Sequence, residues 1–449
     1  MPSSSVVRLV EHYVSAIEQG DLSPGALLPT HRALAARHRV AVATASKVYA
    51  RLKSLGFVIG ETGRGTFVRD RPRLGEWDRH DEARASHHSI DLSFTHPPVP
   101  QQAALLRKML CELASSGDLA ALMHQQPTGG RTHERQIVAD FLARARRIQT
   151  DAEHILLTSG TQAGLDAVAR ALRDSRRAVA VDALTYPGFK MVAESYGLAL
   201  SPVPVRQGGT DLAALDAICR RNRIAAIYTM PTVHNPLGWV LDTAHREGLV
   251  SIARRYDCLL IEDAAHAYLA GVGKRVPPPL VALAPERTVY LSSLSKSLAS
   301  GLRFGYLIAP SAWRRALKSA LRASHWSLSS VVSAMATRWL DHGTVERIEA
   351  SIRRDAARRQ SLAREILAGM DVVAHRNSLF LWLALPEGVR MDRAAAALGE
   401  RGIAVSKGEA YATTRHAPHA LRLSIGSPTL AQLDTALRRV RDTIEGLPI

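Results

Sequence analysis

At 449 residues, with 46% apolar and 22% charged residues, the chain is long enough for more than one hydrophobic core and far from a disordered composition. Its three cysteines, Cys111, Cys219 and Cys258, lie far apart with no C-x-x-C spacing, which excludes a disulfide framework and a cysteine zinc site and leaves no metal expected. The net charge of +17 points to an acidic partner, of which nucleic acid is the commonest.

Met1 to Arg8 carries no apolar signal core, and no apolar run approaches the ~20 residues of a membrane span. A cytoplasmic protein, nucleoid-associated if it binds DNA, is therefore expected. Between Val6 and Glu18, Leu9, Val10, Tyr13, Val14 and Ile17 recur at helical spacing, and Gly20 ends that helix. Pro24 and Gly25 make a turn, after which Pro29 and Thr30 open a second helix through His31, Leu34, Ala35 and His38, with Thr30 as its cap. A third helix runs from Thr44 to Ser54. It turns Val48, Leu52 and Leu55 inward and leaves Thr44, Ser46, Lys47 and Arg51 outward. Phe57–Ile59 and Thr66–Val68 flank Glu61-Thr62-Gly63-Arg64-Gly65 as a hairpin.

Helices followed by a basic-tipped hairpin predict a winged helix-turn-helix, whose third helix enters the major groove while Arg64 reaches the minor groove or a phosphate. Residues 1–69 hold nine lysines and arginines against four acids, so the segment is basic in its own right. The run from Gly20 to Ala35, continuing through Val48-Tyr49-Ala50-Arg51-Leu52 to Gly63-Arg64-Gly65-Thr66-Phe67-Val68, resembles the GntR-type winged helix. That resemblance implies double-stranded operator DNA as partner, touched by Arg32, Thr44, Ser46, Lys47 and Arg64.

Residues 70–89 are polar, charged and without periodicity, a linker. From Ile90 onward, apolar runs of strand length alternate with helical patterns: Ile155–Thr158, Ala178–Val181, Ile224–Thr229, Cys258–Ile261, Thr288–Leu291 and Tyr306–Ile308. Such alternation predicts a doubly wound, largely parallel α/β sheet over 90–449. Within it, a smaller α+β subdomain from about 311 carries strands at Leu379–Leu383 and Ala420–Ile425. The arginine runs Arg144, Arg146, Arg147 and Arg353, Arg354, Arg358, Arg359 read as solvated helix faces.

In doubly wound sheets ligands sit at the carboxyl ends of the strands, and the suggestive residues fall there. Thr158-Ser159-Gly160-Thr161-Gln162 opens a helix whose free N–H groups suit a phosphate. His234-Asn235-Pro236 follows one strand, Glu262-Asp263 ends another, and Ser292-Ser293-Leu294-Ser295-Lys296 follows a third, with Arg303 seven residues on. A lysine can take an aldehyde as a Schiff base, an aspartate can keep a pyridine nitrogen protonated, and a helix N-terminus with an arginine can grip a phosphate. Those are the three handles of pyridoxal 5′-phosphate (PLP).

Their order and spacing resemble the fold type I aminotransferases from about Ile90 to the C-terminus. The resemblance implies Lys296 as the Schiff-base lysine, Asp263 on the pyridine nitrogen and Asn235 on the phenolic oxygen. It further implies Ser159, Gly160, Thr161, Ser293 and Arg303 around the phosphate, Tyr186 stacked on the ring and Arg422 on an effector carboxylate. A GntR-type head on such a body resembles the MocR subfamily of bacterial regulators. This implies a head-to-tail homodimer whose members sense PLP, or an amine or amino acid effector, through an aldimine on Lys296. The alternatives are an active PLP-dependent aminotransferase with an appended DNA-binding domain and a regulator that has lost PLP.

Three departures bear on mechanism. The tyrosine usual two or three residues after the ring aspartate is replaced by Ala264, Ala265 and His266, leaving His266 as the substitute donor. A partner-contributed phosphate tyrosine is absent near Gln125. Asn377 and Ser378 stand where a glycine pair is usual, and are expected to crowd or repolarise the effector pocket. Together they favour sensing over turnover.

Overall fold

The computed structural model describes residues 4–19, 21–22, 25–61, 65–68, 90–96, 99, 102–116, 119–175, 177–206, 208–271, 273, 276–414 and 416–447. Arg64 and the linker 70–89 lie outside the described residues.

The head comprises α1 (Ser4–Gln19), α2 (His31–His38), α3 (Val42–Ser54) and an antiparallel hairpin, β1 (Val58–Glu61) with β2 (Gly65–Val68). Thr30 caps α2, its hydroxyl oxygen accepting from the Ala33 amide at 3.2 Å, so one orphan donor of the first turn is satisfied. Val48 and Leu52 are buried as their spacing requires, whereas Leu55 is only partly so. Ala45 and Tyr49 complete the inward stripe, and the Tyr49 hydroxyl donates to the Pro29 carbonyl at the mouth of α2. Val6, Val10 and Tyr13 of α1, Leu34 of α2 and Val58 and Val68 of the hairpin close this core.

The body is built on a seven-stranded sheet. After β3 (Ile90–Leu92) come β4 (Ile155–Thr158), β5 (Ala178–Asp182) and β6 (Leu200–Val203). A short hairpin, β7 (Val205–Arg206) and β8 (Gly209–Thr210), precedes β9 (Ile224–Thr229), β10 (Leu259–Asp263), β11 (Thr288–Ser293) and β12 (Gly305–Ile308). The order is β4-β12-β11-β10-β9-β5-β6, with β12 antiparallel to both neighbours and the rest parallel. The central strands are buried throughout because helices cover both faces. Alternate residues serve opposite layers: Ile155 and Leu157 pack with Phe141 and Trp339, while Leu156 packs with Leu165 and Phe189.

A second, five-stranded sheet has the order β13-β14-β16-β15-β3, from β13 (Val372–Val373), β14 (Phe380–Ala384), β15 (Ile403–Lys407) and β16 (Ala420–Ser424). Its edge strand β3 comes from the other end of the body and pairs in parallel with β15, a partnership that sequence patterns did not reveal. One face, with Leu381, Leu383, Leu421 and Leu423, packs on the helices Thr344–Ile366 and Leu430–Glu445. Phe380, Trp382 and Arg422, one register step away, serve the opposite face.

The arginine runs divide: Arg144, Arg147, Arg354 and Arg358 are exposed as expected, whereas Arg146, Arg353 and Arg359 are not. Arg146 is buried in an ion pair with Glu349 at 2.5 Å, Arg353 donates to the Tyr268 carbonyl, and Arg359 donates to the Ile425 and Pro428 carbonyls. Guanidinium groups with several fixed donors fasten the long helices to the loops they cross, so part of the +17 charge is structural.

Candidate functional site

The carboxyl ends of β4, β5, β9, β10 and β11 open on a cavity of about 520 Å³ that reaches the five-stranded sheet. Its walls bring together Thr161, Tyr186, Asn235, Asp263, His266, Ser293, Lys296, Arg303 and Arg422. Ser159 and Gly160 are not among the lining residues. They form the turn behind it, where the Ser159 carbonyl accepts from Arg303 at 3.1 Å and Gly160 has φ +86°. A Cβ on Gly160 would stand 3.0 Å from the Arg303 guanidinium, so only glycine lets the arginine close on the start of the Thr161–Leu172 helix.

Asp263 is the last residue of β10 and is buried. Its two carboxylate oxygens accept from the Ala265 amide at 3.0 Å and the Tyr228 hydroxyl at 2.8 Å. Burial nevertheless pushes its pKa up to about 6. Glu262, its sequence neighbour, faces the other side of the strand and accepts from the Val281 amide, so the pair read at one strand end is split between two layers.

Lys296 lies three residues beyond β11. Its Nζ donates to the Thr95 carbonyl at 2.9 Å and stands 3.9 Å over the Phe94 ring. The Tyr268 hydroxyl holds the Lys296 main-chain carbonyl. His266 is buried edge-on against Phe380, its ring centroid 5.1 Å away. Burial, then the Lys296 and Arg422 charges, drives its pKa well below the ordinary value, so the imidazole is neutral at pH 7. Tyr186, raised to about 12 by burial, stays a phenol.

Arg422 on β16 sits directly opposite Ser406 of β15. Its guanidinium donates to the Ser93 carbonyl at 3.2 Å and the Thr95 hydroxyl at 2.9 Å, and lies 4.5 Å over Phe380. Burial lowers its pKa. Asn377 and Ser378 do not crowd this cavity: Asn377 donates to the Leu269 carbonyl and Ser378 binds Gln360 and the Phe380 carbonyl, both outside the lining. The polar side chains replaced glycines by bonding backbone behind the pocket rather than by entering it.

In the head, Arg32 and Lys47 are exposed, and Thr44 and Ser46 are partly so, all on the solvent side of α2 and α3. Ser46 is engaged by His31 at 3.0 Å, which ties the two helices together. Sequence reasoning missed Ser93, Phe94, Thr95, Ser406, Tyr228 and Tyr268. Their only signals are hydroxyl and aromatic residues within strands or loops, and nothing local marks them.

The sequence model for aminotransferase class I and II matches residues 88–440, and that for bacterial regulatory proteins of the gntR family matches residues 7–68. The chain belongs to the MocR subfamily. As a MocR-type chain it is a transcription regulator of the GntR kind joined to an aminotransferase-like domain. It is 27% identical over 436 residues to the uncharacterized HTH-type transcriptional regulator YdeF of Bacillus subtilis (strain 168), covering 96% of this chain and 92% of the relative. Similarity to the HTH-type pyridoxine biosynthesis transcriptional regulator PdxR of Corynebacterium glutamicum is 27% over 372 residues, covering 82% and 80% of the two chains. The crystal structure of Pyrococcus horikoshii kynurenine aminotransferase superposes with a TM-score of 0.77 at 23% identity, over 85% of this chain and 96% of that one. At that identity the likeness shows the fold, which in this MocR-type body is fold type I. Among the described residues no helix is long and apolar enough to cross a membrane.

The cavity of this MocR-type body fits the cofactor that its fold implies. Buried polar atoms without partners face one space: Thr161 Oγ1, Gln162 Oε1, Asn235 Oδ1, His266 Nδ1 and Ser295 Oγ. Uncompensated burial of so many polar atoms is costly unless a polar ligand completes them.

Proposed function

We propose that this MocR-type regulator binds operator DNA through its head and reports PLP, or an amine or amino acid exchanging with it, through Lys296. The observation that carries the reading is the convergence of a strand-end lysine, a buried aspartate and a glycine–arginine helix start on one cavity, in a chain that also carries a winged head. When bound, PLP supplies an aldehyde on which amines exchange and an electron-withdrawing ring. Lys296 is the amine that takes that aldehyde. Asp263 would face the pyridine nitrogen, its carboxylate compensating the charge of a proton held there. Asn235 and the neutral His266 border the phenolic oxygen, with His266 in the position of the usual tyrosine. Thr161, Ser293 and Arg303 on the cavity wall would hold the phosphate at the helix N-terminus, with Ser159 and Gly160 forming the turn behind them, and Tyr186 would cover the ring. Arg422 offers a fork to an effector carboxylate.

Arg32, Thr44, Ser46, Lys47 and Arg64 are the DNA contacts in this reading, Ser46 acting while held by His31. The likeness to MocR-type regulators implies a homodimer, in which Leu119 and Met123, exposed by 52% and 85% close to Gln125, are the side chains expected to be covered. Met123→Asp is expected to shift the sedimentation of the protein from dimer to monomer.

The deciding experiment selects genomic DNA fragments on the purified protein with and without PLP, and repeats the selection with Lys296→Ala. The expected result is a compact enriched site whose recovery changes with PLP only when Lys296 is present. Enrichment indifferent to both overturns the reading. The retained lysine and aspartate favour a second reading, an active aminotransferase, and multiple turnovers of amino donor and keto acid would establish it.

A further inference from the structure

The segment that follows β3 enters the cavity and meets two of its cations, Lys296 and Arg422. Thr95, 2% exposed, gives its carbonyl to Lys296 Nζ at 2.9 Å. Its hydroxyl accepts from Arg422 at 2.9 Å and bonds the Ser424 hydroxyl, also at 2.9 Å. The Ser93 carbonyl accepts from Arg422 at 3.2 Å and from the Ser406 hydroxyl at 2.9 Å. Phe94 places its ring beneath Lys296 Nζ, and its carbonyl takes the Ser427 hydroxyl. Lys296 belongs to the seven-stranded unit and Arg422 to the five-stranded one, so residues 93–95 are a strap fastened to both. The strap directly follows β3, the first described stretch after residues 70–89.

We propose that Thr95 is a positioning residue and the strap the element that senses what Lys296 and Arg422 hold, an inference that rests on the sensing role assigned to this cavity. The argument is one of donor supply. When the Lys296 amine condenses with an aldehyde, a C=N bond forms and water leaves, carrying away the carbonyl oxygen and both amine hydrogens. The neutral product has no N–H for the Thr95 carbonyl, and the protonated one has a single N–H fixed in the plane of the new double bond. A carboxylate paired side-on with Arg422 takes Nε, a buried donor without a hydrogen-bond partner among the described residues, together with Nη2, which now serves the Thr95 hydroxyl. Each ligand therefore competes with the strap for donors already in use, and the buried acceptors left behind favour a shifted strap over an unsatisfied one. The strap continues back into β3, which pairs with β15 in the five-stranded unit, so ligand binding is coupled to that edge of the small sheet by the bonds that it replaces.

The test is hydrogen–deuterium exchange of the full-length protein with PLP as the probe, PLP attachment being followed by absorbance. On attachment, amides of residues 93–96 are expected to exchange about tenfold faster, while the β9 and β10 amides are unchanged. Thr95→Val, which removes the hydroxyl at constant shape, is expected to show the faster exchange before PLP is added, and Thr95→Ser to restore the slow rate. A core that merely needed a threonine-sized group would give the opposite order, as valine fills the site better than serine. PLP attachment with unchanged exchange at 93–96, or slow exchange in Thr95→Val, overturns the inference. Failure of the sensing role reads differently: exchange at 93–96 responds to PLP while affinity for the selected DNA fragment does not.

Discussion

The head and the cofactor cavity handle charge in opposite ways. On the head, Arg32 and Lys47 stand in water on α2 and α3, and the hydrophobic stripe of Val48, Tyr49 and Leu52 lies behind them. Function and stability are thus carried by different faces of the same helix. In the cavity, Asp263, His266 and Arg422 are buried, their ionisation shifted by desolvation, and their neighbours hold polar atoms without partners. There the functional groups are themselves a stability cost. Contacts on the head add up one by one and are screened by salt, whereas those in the cavity are coupled through shared donors.

That contrast is testable in order of expected effect. Lys296→Ala is expected to abolish the PLP absorbance band while leaving salt-dependent DNA binding intact, because the lysine has no counterpart on the head. Titration of the variant with PLP in the visible range measures the first, and a binding curve across salt concentrations the second. Leu52→Ala, at a fully buried core position of the head, should cost about 2–5 kcal/mol of head stability and remove DNA binding with PLP attachment unchanged. An altered absorbance spectrum in that variant would show that the two regions do not act separately.

Asp263→Asn is expected to act in two directions. Above pH 6 the folded chain holds a desolvated carboxylate that the unfolded chain hydrates freely, since its pKa is raised to about 6 from 3.8. Removing the charge should stabilise the cofactor-free protein at pH 7 by on the order of 3 kcal/mol, while weakening PLP binding. This stability gain fades as pH falls from 6 toward 3.8, because over that range the folded wild type takes up the proton and recovers its cost. Denaturant melts of both proteins at several pH values measure it; a gain independent of pH would deny the carboxylate its desolvated state. Smallest, Lys47→Ala should weaken DNA binding severalfold and lower the salt slope by about 1, without moving the melting temperature of the body.

The legible part of the site was the part that ends strands. Asp263, Lys296 and Thr161 follow apolar runs directly, and a strand-then-turn pattern places such residues at the sheet's carboxyl edge whatever the rest of the chain does. Arg422 was legible only through family likeness, because within β16 it is one residue of an alternating strand. Thr95 was invisible: it lies 201 positions from Lys296, and its bonds exist only once β3 has paired with β15. Asn377 and Ser378 were misjudged for a related reason. Position in a loop says that a side chain is near a pocket but not which way it points, and both turned to backbone carbonyls behind the wall. Of the arginine runs, Arg146, Arg353 and Arg359 were misread likewise, since helical charge spacing cannot tell the solvated positions from those that fasten a loop.

What the sequence determined by itself was everything governed by local periodicity: the three helices and hairpin of the head, the alternation of strands and helices in the body, and the strand-end residues that bear the chemistry. Those features follow from hydrophobic repeat and turn composition over fewer than about twenty residues. Only the tertiary structure decided which distant groups share one desolvated space: the joining of β3 to the small sheet, the split of Glu262 from Asp263, and the bonds of Thr95 to both Lys296 and Arg422. The physical reason is that burial and donor sharing belong to the assembled sheets, where the energy of each buried polar group depends on partners that no local stretch of sequence contains.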